Sequence, residues 1–170
     1  MALGLGVTTL ARYDARTLKV WSLSADKFTT EDKRAELLRV TGGWPAVVEQ
    51  VAALADSLGD EHSALAEVQT LLSTPAGAAE FCNKTGLLAD PDVESVFSEL
   101  IGLLDQGGTV EDVIDAVAMA APHVDANAMV KVLLVLGVLT PGIDDKYRCD
   151  PVVASCWPHR NRPLVDSIAT

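Results

Sequence analysis

The stretch RVTGGWPAVVEQV, residues 39–51, decides how this chain is read. Gly42-Gly43-Trp44-Pro45 lies between two segments with helical periodicity. A glycine pair stops a helix because glycine enters the left-handed backbone region without steric cost. Pro45 suits the first turn of the next helix, where its missing N–H would have had no partner anyway. A turn does not need a large aromatic, so Trp44 either plugs the space between the two helices or faces a partner. Upstream, Thr29-Thr30 can cap a helix, and Glu31 and Asp32 suit its positive start. Downstream, Val47, Val48, Val51, Leu54, Ala55 and Leu58 form an apolar stripe that ends at Gly59.

Working outward, residues 61–73 read as a third helix, and STPAGAAEF opens a short fourth that ends near Gly86. Together these make a helical bundle over residues 25–88. Before it, residues 1–24 contain the β-prone runs Val7–Leu10 and Leu18–Trp21. They predict a strand followed by an extended lead-in.

The second half is punctuated more clearly. Asp90 and Pro91 start a helix with Val93, Val96, Phe97, Leu100, Ile101 and Leu104 on one face. Thr109-x-x-Asp112 resembles a capping box, opening a short helix that Pro122 closes. Asp125 caps a third helix bearing Met129, Val132, Leu133 and Leu136. Then Val138–Thr140, the turn-rich PGIDD and Tyr147–Cys149 predict a β-hairpin. Three helices followed by a hairpin is the order of a winged helix, expected over residues 89–158. The boundary between the halves falls at residues 86–91, and residues 159–170 form a tail. The fold class expected is mostly α.

At 170 residues, the chain makes one large domain or two small ones. With 49% apolar and 22% charged residues, it is neither disordered nor membrane-like. The longest apolar run, Val132 to Leu139, is far short of the roughly 20 residues of a membrane span. No basic segment precedes the apolar start, so a signal peptide is not expected. Three cysteines at irregular spacing give no disulfide framework, and a cytoplasmic protein with free thiols is expected.

Catalytic chemistry is not evident. There is no Gly-x-x-x-x-Gly-Lys-Ser/Thr loop, and Gly4-x-Gly6 lacks the rest of a dinucleotide fingerprint. Cys149, Cys156 and His159 do not have zinc spacing. No histidine sits beside a nucleophile in a recognisable setting, and Glu111-Asp112 and Asp144-Asp145 suit a helix start and a turn. A non-enzymatic chain without a metal or cofactor of its own is expected.

A net charge of −11 disfavours a polyphosphate partner. In a DNA-binding winged helix, the third helix would enter the major groove. Here that helix carries Lys131 as its single cation and Asn127 as its single amide, and its apolar count predicts burial on more than one side. Protein contact, with Trp44 and Lys131 as candidate residues, is therefore favoured over nucleic acid.

The segment Leu37–Val48 with its Gly-Gly-Trp-Pro turn resembles the start of the helical lid in AAA+/STAND-type P-loop ATPases. In that family, a helical lid is commonly followed by a winged helix, so the resemblance spans nearly the whole chain. It implies that Gly43 and Pro45 face a nucleotide when an ATPase core is present, in the same or another chain. The phosphate loop and acidic metal-binding strand that precede the family's lid are missing from this sequence. The implied function is a non-catalytic regulatory module of an ATPase switch. The alternatives are a winged-helix DNA-binding regulator and a stand-alone adaptor subunit that holds a protein partner.

Overall fold

The computed structural model describes residues 12–160, which are mostly helical with one small three-stranded antiparallel sheet. The chain divides into two compact units at Leu65 and Ala66.

The first unit contains α1 (Ala15–Ala25), α2 (Glu31–Thr41), α3 (Pro45–Leu58) and the start of α4 (Glu61–Leu72). The helix α1 corrects the expected extended lead-in. Asp14 caps it by accepting from the Thr17 N–H at 2.7 Å, and Asp26, with φ 53°, ends it. Local β preference in Leu18–Trp21 yields to helical spacing that buries Leu18 and Ser22 one turn apart. The strand expected over Val7–Leu10 lies outside the described residues.

Behind α1, Phe28 is fully buried although its φ is +52°. Its strained backbone is held from both sides. The Phe28 N–H donates to Glu61 Oε1 at 2.6 Å, and its carbonyl accepts from the buried Ser22 hydroxyl at 2.9 Å. Burial pushes the Glu61 carboxyl up, but the Lys33 ammonium and the Phe28 N–H outweigh it and hold the group below its usual range. Leu37, Val47, Val48, Val51 and Ala55 complete this core, whereas Leu58, the last residue of the expected stripe, is 50% exposed.

The second unit continues with α5 (Pro75–Lys84), α6 (Pro91–Leu104), β1 (Gly108–Thr109), α7 (Val110–Ala120) and α8 (Ala126–Val135). Then come β2 (Leu139–Pro141), β3 (Lys146–Cys149), α9 (Pro151–Cys156) and a 3-10 turn at Trp157–His159. Each expected start has its cap. Asp90 accepts from the Asp92 N–H, Asp125 from the Ala128 N–H, and Thr109 and Asp112 form a reciprocal capping box.

The sheet order is β1-β3-β2, both pairs antiparallel, with Gly108 opposite Tyr147 and Leu139 opposite Cys149. The hairpin β2–β3 matches expectation; β1 does not appear in the sequence reading. The helices pack in order, α6 on α7 and α7 on α8, while α9 and the 3-10 turn pack on α5. Phe97 meets Trp157 edge-on with ring centroids 4.7 Å apart. The Arg160 guanidinium lies over the Trp157 ring, 3.5 Å from its centre, and donates to Glu94 at 3.3 Å, so the beginning of the expected tail is anchored.

Candidate functional site

The Gly-Gly-Trp-Pro turn acts as a fastener. Gly42 ends α2 with φ 59°, its N–H donating to the Leu38 carbonyl at 2.8 Å. Gly43 has φ +72° and lies against the incoming chain. Its carbonyl accepts from the Tyr13 N–H at 2.8 Å, and its N–H donates to the Thr41 hydroxyl oxygen at 3.2 Å. A Cβ on Gly43 would stand 2.1 Å from the Tyr13 carbonyl oxygen, so only glycine fits there. This close approach to Tyr13 requires the second glycine, which stopping a helix alone would not.

Trp44, a candidate partner contact in the sequence, is 8% exposed. The Arg12 guanidinium sits 4.1 Å from the centre of its ring, a cation–π contact. The indole therefore packs and holds the residues before α1 against the turn. Pro45 takes the first position of α3 and is half-buried. Of the two candidate nucleotide-facing residues, Gly43 already has both backbone polar groups engaged within the chain.

Lys131 is exposed on α8, beside Ala128, Val132 and Val135. The expectation that this helix is buried on more than one side is corrected here. Met129, Val130 and Leu133 face the core, whereas Val132 is 41% and Val135 50% exposed. The helix thus presents an outer face of Ala128, Val132 and Val135 that also carries Asn127 and the single positive charge of Lys131. At the hairpin tip, Ile143 is fully exposed, and Asp144 pairs with Arg148 of β3 at 2.9 Å.

Burial pushes the Cys82 thiol up to about 11 and the Cys156 thiol up to about 12, so both are poor nucleophiles at neutral pH. Among the described residues, no group of three or more His, Cys, Asp or Glu could hold a metal ion. Asp112 belongs to the capping box, and Asp92 pairs with His123 at 2.9 Å.

Sequence reasoning missed the outer face of α7, where Glu111, Asp115 and Met119 are exposed at successive four-residue steps. The helical period carries that signal, since Glu111, Asp115 and Met119 lie opposite the inward residues Val113 and Val117.

Comparison with known proteins finds no matching protein family, no similar curated protein and no similar solved structure.

Proposed function

We propose that this chain is a non-catalytic regulatory module, resembling the helical lid and winged-helix part of an AAA+/STAND-type ATPase switch. Its work is to change its docking on a protein partner as the nucleotide state of an ATPase core, in the same or another chain, changes. The observation that carries this reading is the order of elements in the second unit. Helix, short strand, helix, helix and hairpin, with β1 and β2 flanking β3, supports reading this unit as a winged helix. It follows a helical region whose Gly-Gly-Trp-Pro turn is similar to the start of the family's lid.

The outer face of α8 favours protein contact over the alternative of DNA binding. A duplex reader gains affinity by neutralising phosphates, and one lysine among aliphatic side chains supplies little of that. An aliphatic face with a charged centre suits the desolvated core of a protein interface better. The module acts through differential contact in two states, and the free energy comes from the core.

The test is hydrogen exchange on the natural full-length polypeptide or its isolated complex, with and without nucleotide. Exchange over residues 126–135 that depends on nucleotide state is the expected result. Tight, salt-sensitive binding of duplex DNA by the same face, with no nucleotide dependence, would replace this reading with the DNA-binding regulator.

A further inference from the structure

We propose that the cleft between α1 and α2 receives the acidic outer face of α7 from a second copy of this chain. The cleft has a volume of about 310 Å³ and an apolar floor that includes Leu18, Ala35 and Leu38. Lys19, Arg34 and Glu31 stand at its rim. The volume lies at the lower edge of the roughly 300–1,000 Å³ of small-molecule sites, so it fits one or two side chains better than a cofactor.

The charges select the occupant. Lys27 and Lys33, in the same unit, are bound to Asp56 and Glu61 at 2.6 Å each. Lys19 has no ion pair among the described residues, and Arg34 donates to the Thr29 carbonyl but to no carboxylate. Lys19 and Arg34, with no ion pair among the described residues, outnumber Glu31 at this cleft, which therefore carries one net positive charge in a chain whose net charge is −11.

The complementary surface is on α7. Glu111 and Asp115 are exposed, make no ion pair among the described residues, and are aligned one turn apart with Met119. Met119 is 83% exposed. An unbranched, flexible thioether is well suited to an irregular apolar gap, and the two carboxylates preceding it are opposite in charge to Lys19 and Arg34, which outnumber Glu31 at the cleft. The two surfaces differ, so the contact is head-to-tail. Repeated, it builds a ring or an open chain of copies rather than a two-fold dimer.

Sedimentation velocity on the full chain tests this across a concentration series at low and moderate salt. Concentration-dependent association that weakens as salt rises is expected. The double variant Lys19→Glu/Arg34→Glu should associate at least about tenfold more weakly, as should Glu111→Lys/Asp115→Lys, because each places like charges together. Mixing the two variants should restore association, since each cleft then meets a helix of opposite sign. If either double variant fails to melt cooperatively, Lys19→Ala and Met119→Ser are read instead, with weakened association expected. A chain that remains monomeric at every concentration overturns the proposal, as does association unaffected by these substitutions.

Discussion

The turn at residues 42–45 and the outer face of α8 differ in the opposite sense from what their sequences suggest. The turn carries the chemically conspicuous residues, two glycines, a tryptophan and a proline, and the structure uses Gly43 and Trp44 inwardly. Gly43 is pressed against Tyr13, and Trp44 is buried beneath Arg12. The outer face of α8 consists of ordinary aliphatic residues, yet Val132 and Val135 face solvent. A residue that stands out in a sequence has often been placed to satisfy a backbone or packing constraint. Recognition can rest on plain residues whose exposure only the fold reveals.

Substitutions sharpen this contrast. Trp44→Ala removes a buried indole and is expected to destabilise by about 3–5 kcal/mol in chemical denaturation. A melt unchanged by it would make the ring an exposed contact and erase the contrast. Gly43→Ala combines a left-handed backbone with overpacking against Tyr13, and about 2–4 kcal/mol of destabilisation is expected. If it costs nothing, the tie between Tyr13 and the turn is not maintained in solution.

Thr109→Ala should cost about 1 kcal/mol by removing the capping box of α7. It also carries a pH signature. The Thr109 hydroxyl and N–H bonds hold the Asp112 carboxyl below its ordinary 3.8. Because the folded value is the lower one, this stabilisation is complete above the unfolded value and is lost as pH falls through the folded value. The acid limb of a stability–pH curve should therefore be shallower in the variant than in the parent chain. Finally, Val132→Ser and Val135→Ser should change stability by no more than about 0.5 kcal/mol while weakening partner binding. A large loss of stability would mean that α8 is buried on its outer side after all.

What could be read in the sequence was whatever is fixed locally. Thr30, Asp90, Thr109 and Asp125 act as caps because a short side-chain oxygen reaches N–H groups two or three residues ahead. Gly42, Pro45 and Gly59 mark helix ends for reasons contained in their own backbones. The misses depend on distant partners. The strand β1 is two residues long and exists through its pairing with β3, some forty residues later. The helix α1 was obscured by β-prone Val20 and Trp21, and its helical form is supported by packing against α2. Likewise, Lys131 was legible as a surface charge, but its aliphatic neighbours read as core, since an outward Val cannot be told from an inward one in an apolar run.

That the chain supplies no chemistry of its own is the central claim. The direct measurement is a titration of the isotopically labelled chain with magnesium and ATP, following the Gly43 amide resonance and phosphate release together. The Gly43 resonance is predicted to stay in place, since its N–H is already bound to Thr41, and no phosphate should appear. A saturable shift at Gly43 accompanied by sustained phosphate release would contradict the account.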